Sequence, residues 1–350
     1  MTKASRAVLK FVPSAVLMAV VALGLATSPA WSQSASSSSS SDDSTDTTIA
    51  FMRTYPNAAI NNFNQIGIIS NTVRERRSGA AGSAKISSIS QTGLAGAAGD
   101  SRWSTWAALS ANNVAYSFRP LSSAGNANGG LLGVDYSLEN GAVVGVALGS
   151  DSSRMTTFFN GGNVSTTGYN VAPYIMVPIN ANWTFDGSFG LGNGKIKSNL
   201  GGGVTGNTTD RRSFGSLALT YATAIGNWQV QSTGSLLASS NSMQSFRLSN
   251  ALFVPSSTNG LTQLRVGGRA TYGSGMFVPS VGMTFVQDLS RTEVLPIAGQ
   301  TPLNSRAAVI LQAGVNINAG NPISGSVQLS SELREQVRNN GVVATVSFRF

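Results

Sequence analysis

The sequence contains no cysteine and no histidine, and charged residues make up only 11% of its 350 positions. Without cysteine the chain has neither disulfides nor thiolate chemistry. Without histidine it lacks the side chain that most often serves as a general base near neutral pH or as a metal ligand. The sequence therefore gives no support for an enzyme, a bound metal or any other cofactor.

Long uninterrupted apolar runs are also scarce, although hydrophobic residues make up 41% of the chain. A helical membrane protein needs spans of about 20 apolar residues, whereas an ordinary soluble protein carries about twice this proportion of charge. Glycine is abundant, at 39 residues. A weakly charged, glycine-rich chain without helical spans is typical of a membrane β-barrel.

The first 30 residues have the features of a secretory signal peptide. Three basic residues precede an apolar run over residues 12–26, and Ser28 and Ala30 supply the small residues that a signal peptidase prefers. A single anchor helix is the alternative interpretation. The run is shorter than the about 20 residues of a spanning helix and contains Pro13, so we expect residues 1–30 to be removed on export.

Three segments follow the predicted signal peptide. Residues 31–58 are rich in Ser, Thr and Asp and are expected to form a disordered tether. Residues 59–78 carry apolar side chains three and four positions apart, which predicts a weakly amphipathic helix, and their many amides would suit a polar cavity. Residues 79–100, rich in Gly, Ala and Ser, are expected to be a linker.

From residue 101 to 350 the pattern changes to period two, as in the alternation of Trp183, Phe185 and Phe189 with polar or small residues. Turn residues divide this region into twelve segments. The fold predicted is all-β, a twelve-stranded antiparallel transmembrane barrel of the bacterial outer membrane. The predicted strands start near Ser101, Gly130, Ala142, Thr166, Trp183, Ser213, Asn227, Leu261, Met276, Ser305, Ser324 and Gly341.

Two further features favour a membrane barrel over a soluble β-sandwich. Short turns alternate with longer loops, the loops being expected near residues 111–129, 199–212, 247–260 and 291–305. Charged residues also fall on the polar face of the strands, where they would be costly in a sandwich core but can pair across a wet lumen. These predicted lumen charges are Asp135, Asp186, Arg265, Arg269, Asp288, Glu332 and Arg334.

The last strand ends in alternating apolar residues and a terminal aromatic. This pattern resembles the signal by which the outer-membrane barrel assembly machinery recognises its substrates. The resemblance implies that this machinery is a partner of the chain. The residues of the expected assembly signal are Val342, Ala344, Val346, Phe348 and Phe350.

Residues 103–350 resemble the autotransporter translocator domain. The resemblance rests on twelve strands, on a helix and linker upstream, and on Trp103 and Trp106 at the start of the barrel. It implies a barrel among outer-membrane lipids, a helix in its lumen and an N-terminal passenger outside. Only about 30 residues lie between the signal peptide and the helix, so the chain is expected to expose or anchor a short N-terminal segment.

Two other functions remain open at this point. A porin-like passive channel would require the helix to leave the lumen or never enter it, and a surface adhesin would act through the long loops. Nucleic-acid binding is not supported, because the basic residues are scattered without interleaved aromatics. An even strand number closes a barrel within one chain, and we expect a monomer.

The pair Asn61 and Asn62 is similar to the junction at which some autotransporters cleave themselves inside the lumen. There an Asn side chain attacks its own backbone carbonyl with help from a lumen carboxylate, which Asp135, Asp186 or Asp288 would supply. A polar helix in a wet pore explains the same residues, since Asn is abundant in this chain.

Overall fold

The computed structural model describes residues 65–72, 102–117, 122–158, 160–273, 275–292, 305–318 and 323–349. The predicted signal peptide, tether and linker lie outside the described residues. One helix, α1, spans residues 65–72. Within the described ranges no helix is long and apolar enough to cross a membrane.

Strands dominate the rest of the described chain. They are β1 Trp103–Tyr116, β2 Ser123–Ser137, β3 Val143–Thr157, β4 Gly162–Pro178, β5 Trp183–Asn199, β6 Thr205–Ile225, β7 Trp228–Met243, β8 Phe246–Arg247, β9 Phe253–Val254, β10 Ser257–Tyr272, β11 Phe277–Arg291, β12 Ala307–Asn318, β13 Ile323–Arg334 and β14 Val337–Arg349.

Twelve of these strands form a closed antiparallel barrel, which confirms the predicted fold. Each barrel strand pairs with its neighbours in the chain, and β14 returns to pair with β1. The remaining two strands, β8 and β9, form a small separate hairpin in the connection between β7 and β10. Closure matters because strand edges exposed to lipid would leave backbone groups without hydrogen-bond partners.

The connections separate into two rims. One rim carries tight turns, such as those at residues 138–142, 179–182 and 226–227, together with the start of β1 and the end of β14; we call it the short-turn rim. The opposite loop rim carries the β8–β9 hairpin and the connection after β11. Outer-membrane barrels keep short turns on the periplasmic side and longer loops outside.

The strands are longer than predicted, and the loops correspondingly shorter. The twelve barrel strands have 12 to 21 residues, and the β1–β2 and β5–β6 connections shrink to residues 117–122 and 200–204. Five of the six predicted starts at the loop rim are late, as at β2, which begins at Ser123 rather than Gly130, and at β6, which begins at Thr205 rather than Ser213. Beyond the bilayer the outward face of a strand becomes polar, so the apolar-outward alternation that reveals the strand in the sequence ends there.

The barrel wall has an apolar belt on its outer face and an aromatic girdle at the short-turn rim. Leu109, Leu148 and Leu217 are among the exposed residues of the belt. In the girdle, tryptophan and tyrosine lie directly opposite each other on neighbouring strands, with ring centroids 4.9 to 5.1 Å apart. Such rings favour the headgroup level. The girdle pairs are Trp103–Tyr136, Trp183–Tyr221 and Trp228–Tyr272.

Inward-facing aromatic rings lie over glycines on the neighbouring strand. Trp106 is paired with Gly133, and a Cβ atom added at Gly133 would overlap the indole ring. The same arrangement joins Tyr174 to Gly145 and Phe214 to Gly190. Glycine is therefore required at these positions for steric reasons, since the ring fills the space of a side chain.

Replacing Gly133 by alanine should destabilise the barrel by about 1–3 kcal/mol, because the added methyl group forces the Trp106 ring out of place. The measurement is urea unfolding of refolded protein, together with the fraction that shows a heat-dependent gel shift. Gly234→Ala is the matched control, because a Cβ atom there meets open space. Equal stability of the two variants would contradict this role for glycine.

Candidate functional site

Helix α1 lies inside the barrel, where three isoleucines are almost fully buried. Ile66, Ile68 and Ile69 are 1–3% exposed and pack against inward-facing apolar residues such as Trp106 and Phe214. The sequence predicted a weakly amphipathic helix that would suit a polar cavity, and in the structure its isoleucines lie among apolar side chains of the inner wall. A helix that fills the lumen excludes water, so apolar contacts with the inner wall become favourable.

Polar side chains attach α1 to the wall at two levels. Gln65 donates from Nε2 to the Oδ2 atom of Asp151 at 3.4 Å and accepts a hydrogen bond from the side-chain amide of Asn170. Ser70 donates from Oγ to the Oδ2 atom of Asp186 at 3.0 Å. Asp186 is thus a predicted lumen charge that contacts the helix directly, whereas the contact at Asp151 was not predicted.

These contacts fix the direction of α1. Asn170 pairs with Gly192 on β5, whereas Asp186 lies close to the start of β5 at the short-turn rim. Gln65 is therefore nearer the loop rim, and Ser70 is nearer the short-turn rim. The helix runs with its N-terminal end towards the loop rim.

A buried ion cluster next to this contact was missed by the sequence analysis. Arg212 binds Asp151 from Nη1 at 2.8 Å and Asp210 from Nε at 2.6 Å, and each of these side chains is at most 2% exposed. Gly168 and Gly194 lie against the guanidinium group, where a Cβ atom would clash with it. Arg212 thus neutralises the carboxylate that holds α1.

A second ion cluster lies near the loop rim on the other side of the barrel. Asp288 accepts hydrogen bonds from Arg334 at 2.6 Å, from Gln263 at 2.8 Å and from Arg291 at 3.3 Å. Arg334 also binds Glu332 at 3.2 Å. Three predicted lumen charges, Asp288, Glu332 and Arg334, therefore come together here.

The two other predicted lumen cations donate to uncharged side chains. Arg265 donates to Gln263 at 2.7 and 3.0 Å, beside the second ion cluster. Arg269 donates to Ser280 at 2.9 Å and to Asn316 at 3.1 Å.

Asp135 is buried near the short-turn rim in a hydrogen-bonded group of its own. It accepts hydrogen bonds from Ser104 and from the Tyr174 hydroxyl, the latter at 2.7 Å, and Trp106 donates in turn to Tyr174 at 2.7 Å. These groups hold Asp135 in the wall. Among the described residues no set of three side chains suited to a metal ion occurs.

Apolar side chains form a cluster inside the loop rim. Leu248 and Val254 of the β8–β9 hairpin are buried with inward-facing residues at the loop-rim ends of the strands, including Tyr116, Met155 and Ile196. We call this cluster the apolar cap. It lies beyond α1 in the direction of the loop rim, so the helix and the cap obstruct the lumen one after the other.

The predicted assembly signal occupies the outward face of β14. Val342, Ala344, Val346 and Phe348 alternate with inward-facing residues, and Phe348 pairs with Thr105 across the β1–β14 seam. Phe350 lies outside the described residues, as do Asn61 and Asn62. The roles of these residues in assembly and self-cleavage stay predictions.

A closed twelve-stranded barrel with an apolar outer belt, an aromatic girdle and an internal helix defines a translocator-type barrel of the bacterial outer membrane. The family model described as the autotransporter beta-domain matches residues 105–330. The chain belongs to this family. Barrels of this family lie in the outer membrane, are generally assembled there by the barrel assembly machinery and are generally not enzymes.

Solved structures show the same fold at low sequence identity. The translocator domain of the autotransporter NalP from Neisseria meningitidis matches with a TM-score of 0.61 and 14% identity, covering 82% of this chain and 98% of that domain. The beta domain of the Bordetella autotransporter BrkA matches with a TM-score of 0.61 and 19% identity, covering 71% and 100%. A search of curated protein sequences gave no match.

Replacing Arg212 by glutamine should lower the free energy of unfolding by about 3–5 kcal/mol, because Asp151 and Asp210 would remain buried without a counter-charge. Urea titration followed by tryptophan fluorescence measures the change. Arg211→Gln is the matched control, since Arg211 is the next residue along β6 and is exposed on the outer face. If both variants unfold at the same urea concentration, the ion cluster is not a source of stability.

Proposed function

We propose that this translocator barrel carries the residues preceding α1 to the cell surface and retains α1 in the lumen as a plug. The observation that carries the proposal is the direction of the helix. Gln65 is held towards the loop rim and Ser70 towards the short-turn rim. The N-terminal end of α1 thus faces the loop rim, and its C-terminal end faces the short-turn rim, where β1 begins.

The proposed role is mechanical and not enzymatic. The described lumen holds its carboxylates in hydrogen bonds with the wall or with α1, as at Asp135, Asp186 and Asp288. These hydrogen bonds support a role for the carboxylates in holding α1 and the wall together. A porin-like channel is the less favoured function, because buried isoleucines and the apolar cap occupy the path that ions would take.

Cysteine labelling tests the direction of the chain directly, because the native sequence has no cysteine. Ser37→Cys, before the helix, should react with a membrane-impermeant maleimide on intact cells. Ser90→Cys, in the predicted linker, should react only after the outer membrane is permeabilised. The opposite pattern would mean that the helix is inserted the other way, and labelling of both on intact cells would mean that it does not occupy the lumen.

Conductance tests the plug separately. A twelve-stranded barrel is too wide to be filled by the side chains of its own wall, so an emptied lumen should conduct ions. We expect low single-channel conductance for the native protein, a severalfold rise when residues 59–78 are deleted, and a larger rise when residues 245–255 are also replaced by a short Gly-Ser linker. If the native protein conducts as well as the variant that lacks residues 59–78 and carries the Gly-Ser linker, the channel function would be favoured.

A further inference from the structure

Four cationic side chains form a cluster on the outer wall of the barrel. Arg154 on β3, Lys195 and Lys197 on β5, and Arg211 on β6 are all exposed and point away from the lumen. We call this cluster the outer-wall cationic patch.

The strand register places the four side chains close together. Ser165 pairs with Arg154 on one side and with Lys197 on the other, so these two cations lie on one row, about 10 Å apart across two strand spacings. Lys195 pairs with Thr209, two residues from Arg211, and this diagonal separation is about 7–8 Å. The patch therefore spans four adjacent strands.

The carboxylates of the described barrel strands are confined to the inner face of the wall. No acidic residue lies on the described outer face of β3 to β6. The outward-facing neighbours of the patch are hydroxyl and amide side chains. They are Ser150, Ser152, Ser165, Thr167, Asn193, Asn207 and Thr209.

The girdle at the short-turn rim gives the height of the patch in the membrane. Arg211 lies ten residues (221 − 211) from Tyr221, and Lys195 lies twelve (195 − 183) from Trp183. At about 3.3 Å per residue and a strand tilt of about 40°, these separations correspond to rises of about 25 and 30 Å along the membrane normal. The apolar band of an outer-membrane barrel is about 25 Å tall, so the patch lies at the headgroup level of the outer leaflet.

We propose that the outer-wall cationic patch binds the phosphate groups of a phosphorylated glycolipid in the outer leaflet. Below the patch the same strands expose Tyr169, Val171, Leu191 and Leu217, which suit acyl chains. At the level of the patch the cations suit phosphate, and the surrounding hydroxyl and amide groups suit sugar. Along the membrane normal, the outer wall thus presents apolar side chains for the acyl chains and, above them, cationic and polar side chains for the phosphorylated sugar.

The test compares lipid binding by native protein with that of the double variant Lys195→Gln/Arg211→Gln. The proteins are purified in detergent, and the heat-dependent gel shift shows that they are folded. Each is then titrated with purified lipopolysaccharide or with phosphatidylglycerol, and native mass spectrometry counts the bound lipid molecules. We expect lipopolysaccharide binding to fall about 25-fold, since each cation near an anionic lipid surface contributes about a factor of five.

The matched control is Arg306→Gln/Arg338→Gln, which removes the same charge from exposed cations near β12 and on β14, away from the patch. It should bind lipopolysaccharide as the native protein does. If the double variant folds poorly, Lys195→Gln alone should still show about a fivefold loss. Unchanged binding by the patch variants, an equal loss in the control, or equal affinity of the native protein for phosphatidylglycerol would each overturn the proposed site.

Discussion

The pairing of β14 with β1 is the constraint on which the rest of the structure depends. Lipid offers no hydrogen-bond partners, so a membrane sheet must have no free edge. Residues Ser104–Tyr116 of β1 pair with Val337–Arg349 of β14, and this pairing closes the ring of twelve strands. Twelve strands enclose more space than their inward side chains fill, and this chain occupies that space with its own helix and hairpin.

The helix in the lumen changes which side chains are favourable on the inner wall. Where α1 excludes water, inward positions become apolar, as Phe214 and Leu237 show. Where charges remain, they are paired in compact clusters such as that of Arg212 with Asp151 and Asp210. An isolated buried charge would be strongly destabilising, whereas a paired and hydrogen-bonded one can be tolerated. The described lumen around α1 is therefore built like a protein interior, with apolar contacts and paired charges.

The sequence predicted the short-turn rim better than the loop rim. The starts at Trp183 and near Met276 agree with the structure to within one residue, because tight turns and membrane-buried alternation coincide there. The predicted loop at residues 199–212 instead contains the first part of β6, and with it Asp210 and Arg212. Asp210 and Arg212 are two residues apart and so lie on the same face of a strand. This spacing predicts an ion pair only once β6 is known to extend beyond the bilayer.

The attachment of α1 through a few hydrogen bonds has a consequence for retention. A helix covalently joined to its barrel behaves as a tethered ligand, so its binding to the lumen is intramolecular and its effective concentration is high. The hydrogen bonds of Gln65 and Ser70 and the packing of the buried isoleucines then need to supply less affinity than a separate peptide would require. Cutting the chain between α1 and β1 would remove this advantage, and occupancy would then depend on the intrinsic affinity of the helix alone.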